Sequence, residues 1–120
     1  MKTEVRLDIA YIASKLISGL SGNYIFDYKR GEYINLSGEV NNRNISIFDY
    51  SRGCYITGNG NGTTFSLFDY GEGNHISLEI RGNHFSGFDY GSGNHFNGNV
   101  SGRSISFFDY EFGEYFNYSI

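Results

Sequence analysis

An all-β domain preceded by one helix is the fold class the sequence predicts, and three observations carry it. The tripeptide Phe-Asp-Tyr recurs at 26–28, 48–50, 68–70, 88–90 and 108–110, spaced by 22 residues and then by 20 three times. A glycine follows each tyrosine by three residues, at Gly31, Gly53, Gly73, Gly93 and Gly113. Between these fixed points apolar and polar residues alternate, which is the period of a strand with one buried face. Composition agrees: 17 Gly, 11 Phe and 11 Tyr with no Pro suit hydrogen-bonded strands joined by tight turns. An aromatic content of 18% excludes a disordered glycine-rich linker or a collagen-like chain. The 120 residues suit one domain, divided into a helical segment 1–20 and a repeat region 21–120.

The helix comes first. Val5, Ile9, Ile12, Ala13, Leu16 and Leu20 form an apolar stripe at 100° per residue, with Lys15 and Ser18 outside it. A strand over residues 4–11 competes, because Val5, Leu7, Ile9 and Tyr11 also alternate; Leu7 and Tyr11 would lie on the polar side of a helix. Gly19 and Gly22 supply its end. Lys2, Glu4, Arg6 and Asp8 break up the apolar run that a secretory leader needs, and no stretch of about 18 apolar residues exists to span a membrane. A cytoplasmic chain is expected.

From residue 21 onward each unit has two turns, hence two strands. After the glycine comes a ring (Tyr33, Tyr55, His75, His95, Tyr115), then Ile34, Ile56, Ile76, Phe96 or Phe116. Units meet at Ser21-Gly22, Asn41-Asn42, Asn61-Gly62, Arg81-Gly82 and Ser101-Gly102, and the last four read as two-residue hairpin turns. Pairing Tyr50 with Gly53 sets Ile47 opposite Ile56, Ile45 opposite Gly58 and Phe48 opposite Tyr55. The same offset sets Leu67 opposite Ile76, Phe65 opposite Leu78, Gly87 opposite Phe96 and Phe85 opposite Gly98. A slip of one residue would mix the apolar and polar faces, so this sorting selects the register. Carried through Asn41-Asn42, it sets Leu36 opposite Ile47 and Gly38 opposite Ile45.

A ten-stranded antiparallel meander of five hairpin repeats follows, closed as a barrel, folded as a sandwich or open as a curved sheet. An open sheet would expose edges, which the helix would cover. The alternative is a β-solenoid capped by the helix, one coil per unit. That arrangement would stack Asp27, Asp49, Asp69, Asp89 and Asp109 about 4.8 Å apart in one like-charged column; the meander separates them by roughly 9.6 Å. Tandem Tyr- and Gly-rich hairpins of similar period are loosely similar to MORN repeats, but the MORN motif is absent and the resemblance implies nothing further.

The five aspartates face Glu32, Cys54, Asn74, Asn94 and Glu114 beside the turns. There they either accept hydrogen bonds from turn amides or form a carboxylate rim for cations or sugar hydroxyls, with Asp27–Glu32 and Asp109–Glu114 as like-charged pairs. His75 and His95 lie two strands apart, too far to share a metal, and His84 falls opposite Glu79. No metal site, cofactor or nucleophile constellation emerges. Cys54 is the single cysteine, so no disulfide forms within the chain, and a net charge of −4 without basic runs gives no footprint for nucleic acid.

One sheet face then carries Phe26, Phe48, Phe68, Phe88 and Phe108 in a row with the five rings, flanked by Ser, Thr and Asn. This row is either core or an interface. A non-catalytic interaction module follows, binding a second copy or another protein through the aromatic face or a sheet edge. The alternative is a multivalent glycan-binding module using Tyr33, Tyr55, His75, His95 and Tyr115 with the five aspartates. An enzyme is not expected, because repeats spread identical groups evenly whereas catalysis needs unlike groups converging on one point.

Overall fold

The computed structural model describes residues 1–120: helix α1 (Thr3–Ser18) and ten strands, β1 (Tyr24–Asp27), β2 (Glu32–Val40), β3 (Asn44–Asp49), β4 (Cys54–Gly60), β5 (Thr64–Asp69), β6 (Asn74–Arg81), β7 (His84–Asp89), β8 (Asn94–Ser101), β9 (Ser104–Asp109) and β10 (Glu114–Ser119). Each strand pairs antiparallel with its chain neighbour, and β1 pairs with β10 through Phe26↔Ser119 and Asp27↔Tyr118, closing a barrel. Of the architectures open to the sequence, the meander forms and the stacked coils of a solenoid do not. Closure leaves no full-length edge strand for a helix to cover or for a partner strand to extend; the end of β2 beyond Asn35 lacks a strand on the side away from β3.

Within every hairpin the register is the one the faces demand. Ile47 pairs with Ile56, Ile45 with Gly58, Leu67 with Ile76, Phe65 with Leu78, Gly87 with Phe96 and Phe85 with Gly98. A Cβ at Gly87 would overlap the Ser77 carbonyl oxygen and the Phe96 ring, and one at Gly98 would overlap the Ser106 oxygen and the Phe85 ring. Each glycine therefore makes room for the phenylalanine opposite.

Between hairpins the register departs from expectation by two residues. Gly38 pairs with Ile47 and Val40 with Ile45, so Leu36 does not meet Ile47 and the turn centres on Asn42-Arg43. Asn41 is the cause. Its backbone N–H still donates to the Asn44 carbonyl (3.0 Å), while its Oδ1 accepts from the Arg43 and Asn44 amides (2.9 and 2.8 Å). Asn41 thus closes the turn from outside it, and Asn61 does the same for the next one. The later turns place Gly62, Gly82 and Gly102 at the first central position with positive φ. A two-residue shift preserves every side chain's face, so the core is unchanged.

Helix α1 occupies the lumen. Residues 5–14 are buried without interruption, and the helix touches β1 and β2 on one side of the ring and β6, β8 and β9 on others. A ten-stranded barrel is wider than the roughly eight strands whose inward side chains alone fill the interior. The apolar stripe accounts for part of this burial. Leu7 and Tyr11, on the side a surface helix would turn to water, are 1% and 4% exposed. Arg6 and Asp8 are buried too, through partners on the wall. Gly19, at φ 64°, ends the helix by donating its N–H to the Lys15 carbonyl.

Candidate functional site

Strand alternation sends each Phe-Asp-Tyr tripeptide through the wall, with phenylalanine outward, aspartate inward and tyrosine outward again. The rings and the aspartates, adjacent in sequence, are therefore separated by the sheet.

Outside, each half-buried phenylalanine supports two exposed rings. Phe48 stands edge-on to Tyr50 and Tyr55 at centroid distances of 5.1 and 4.8 Å. Phe68 holds Tyr70 and His75, Phe88 holds Tyr90 and His95, and Phe108 holds Tyr110 and Tyr115, all at 4.8 to 4.9 Å. These separations and T-shaped geometries match the ring quadrupole. The two-residue shift between hairpins extends the arrangement across the seams. The Tyr70 amide donates to the Tyr55 carbonyl, Tyr90 to His75 and Tyr110 to His95, so the ring-bearing positions of successive hairpins are neighbours across each seam. Twelve ring positions, from Phe48 on β3 and Tyr50 just after it to Tyr115 on β10, thus follow one another around the outer face as a belt of four three-ring clusters, with the ring-to-ring contacts inside each cluster.

The belt stops at two seams. Tyr50 donates to Asn35 and Tyr28 to Asn117, so the rings of the first hairpin form a separate group in which Phe26 holds Tyr28 and Tyr33, and Tyr24 packs on Tyr33. Tyr33, Tyr55 and Tyr115 are 66%, 50% and 66% exposed, and His75 and His95 are exposed as well. Beside the belt the wall is polar: Ser37 Oγ meets Tyr50 Oη at 3.0 Å, and Asn97 donates to Tyr110 Oη at 2.9 Å. A shallow groove of about 570 Å³ runs over Ser77, Glu79, Ser86, Phe88, His95, Asn97 and Tyr110. His84 lies outside it, paired with Asn99 and Arg81 instead of Glu79, and its Nδ1 is 3.1 Å from Asn99 Oδ1.

Inside, all five aspartates are buried at one end of the barrel. Each Oδ1 accepts from an amide of its own turn: Lys29, Ser51, Gly71, Gly91 and Glu111 donate at 2.8 to 3.0 Å. Three arginines meet the ring of carboxylates. Arg30 Nε lies 2.9 Å from Asp27 and 3.3 Å from Glu32, which relieves that like-charged pair. Arg6 reaches Asp109 at 3.1 Å while its guanidinium covers the Phe116 ring at 3.5 Å. Arg52 spans Asp8 on the helix (2.8 Å) and Asp69 on β5 (3.0 Å). Glu114, opposite Asp109, pairs with Lys29 at 3.3 Å.

Burial pushes the Asp8 carboxyl up to about 9, helped by the neighbouring Asp49 and opposed by Arg52. Sequence reasoning passes over Arg6, Asp8 and Arg52. The first two read as ordinary charges on a surface helix, and Arg52 sits at a turn position occupied by Arg30, Glu72, Ser92 and Phe112 in the other units.

No family model, curated protein or solved structure matches this chain.

Proposed function

We propose that this protein is a non-catalytic binding module whose aromatic belt engages a protein surface, either a second copy of the chain or another partner. The observation that carries this reading is the continuity of the belt: twelve rings in one register, with the outer tyrosines from Tyr50 to Tyr115 at least half exposed. A row of exposed ring clusters of this kind is what interfaces use, because tyrosine offers large contact area at small entropic cost. The supporting phenylalanines hold the outer rings in place before any partner arrives, which lowers the ordering cost of binding. With the ring closed and no full-length edge strand exposed, the outer face, not strand addition, is the surface on offer.

Light scattering across a concentration series, together with affinity capture, tests the reading. The triple replacement of Tyr55, Tyr70 and Tyr90 by serine is expected to weaken association at least tenfold without lowering the melting temperature by more than a few degrees. A strictly monomeric protein with no captured partner would remove the proposal.

The groove over Ser77, Glu79, Asn97 and Tyr110 favours a second reading, carbohydrate binding, since ring faces stack on sugar C–H groups while amides, hydroxyls and carboxylates bind sugar hydroxyls. The buried aspartates take no part in it. Silence on a glycan array, with no sugar shifting the Tyr110 or His95 resonances, would sink this reading.

A further inference from the structure

Asp8 and Asp49 meet where the helix touches the wall, and each has one committed oxygen and one bare oxygen. Asp8 Oδ2 accepts from Arg52 Nη1 at 2.8 Å, and Asp49 Oδ1 accepts from the Ser51 amide and hydroxyl at 2.8 and 2.6 Å. Asp8 Oδ1 and Asp49 Oδ2 have no partner, although the residues are only 0% and 1% exposed. Two buried acceptors in one interacting carboxyl pair, each without a donor, make an expensive arrangement. Adding a single proton resolves it.

We infer that Asp8 and Asp49 hold one proton between them, and that this shared proton latches the helix to the barrel wall. The carboxylic acid of one donates its O–H to the bare oxygen of the other, and loss of that proton to solvent leaves two facing carboxylates. The charges around the pair support this count. From the wall come Arg52 of the β3–β4 turn, Asp69 of β5 and Cys54 of β4, whose thiol burial pushes up and so keeps neutral. On the helix side Lys2 is occupied by Glu72 at 2.7 Å. One guanidinium therefore faces three carboxyl groups, Asp8, Asp49 and Asp69.

The sign of the pH dependence follows. A carboxyl raised from 3.8 to about 9 binds its proton more tightly in the folded chain. Its stabilisation is complete below about pH 4, declines as pH rises, and is gone above about pH 9. Between these limits folding takes up one proton, which makes the unfolding equilibrium constant rise about tenfold per pH unit from this pair.

Carbon-13 NMR titration of the Asp8 and Asp49 side-chain carboxyl carbons in the intact protein tests the latch. The expected result is a proton retained through neutral pH and released on the alkaline side. Asp8→Asn and Asp49→Asn mimic the protonated acid, since the amide keeps the accepting oxygen and donates from nitrogen. Each is expected to fold and to remove about tenfold per pH unit from the pH dependence of unfolding between pH 5 and 8. Complete ionisation of both carboxyls below about pH 5 would overturn the inference, as would an unchanged slope in both variants. So would carboxyl signals that move on adding Mg²⁺ or Ca²⁺ at neutral pH, because a cation would then occupy the proton's place. If neither variant folds, the wild-type titration decides.

Discussion

Arg52 shows how much one residue can carry. Its guanidinium contacts both the helix, at Asp8, and the wall, at Asp69, and its side chain is 9% exposed. Breaking a buried pair by removing one member costs about 3–5 kcal/mol, because the remaining charge stays in low dielectric without compensation. Arg52→Ala is therefore expected to lose stability on that scale in urea unfolding at pH 7. Arg52→Lys is expected to recover only part of it, since a point charge cannot hold two carboxylates in the fixed geometry of the planar fork. This contact was illegible from the sequence for a physical reason: Asp8, Arg52 and Asp69 are far apart along the chain, and only closure around the helix brings them together. The exposed rings were far more legible. Their positions recur with the repeat, and alternation alone places them opposite the apolar face.

At the scale of the element, the hairpin is the unit that sequence patterning specifies best. Two faces that must each stay uniform leave one register available, and Ile45, Ile47 and Ile56 occupy it with Gly58 as the small partner. The inter-hairpin turns are specified by side-chain chemistry instead, and there the pattern misleads by one residue. An Asn-Gly pair reads as the centre of a turn, yet Asn61 stands just before it, bonding back to the amides of Thr63 and Thr64. Asn61→Ala is expected to cost about 1 kcal/mol, the usual net value of a hydrogen bond, measurable as a shift in denaturation midpoint. Gly87→Ala is expected to cost more, about 1–3 kcal/mol, because its Cβ would displace the Phe96 ring and press on the Ser77 carbonyl. If Gly87→Ala proved neutral, the pairing of small with large residues across the wall would have no energetic role.

For the molecule as a whole, the lumen helix sets the organisation. A surface helix frays on its own, whereas one enclosed by ten strands cannot open without the wall opening too. Amide hydrogens of residues 5–14 are therefore expected to exchange only through global unfolding, as slowly as the slowest strand amides. Faster exchange confined to the helix would show that it leaves the barrel independently. The apolar stripe predicts a helix but not its position, because burial on all sides depends on the number of strands and on their closing. Ten strands were legible from the repeat; closure depends on the shallow pairing of β1 with β10, whose short strand β1 gives little pattern to read.

That closing seam has only two residue pairs, against four or more at every other seam. A wall that assembles around the helix avoids threading it into a closed barrel. The chain order suits this sequence of events, since the helix precedes every strand and can serve as the mandrel on which successive hairpins are wound. The β1–β10 stitch is then the last to form and the first to part. Strands that meet without the helix in place would have nothing to set the circumference of the ring, and would pair with whatever edge came next, including that of another molecule.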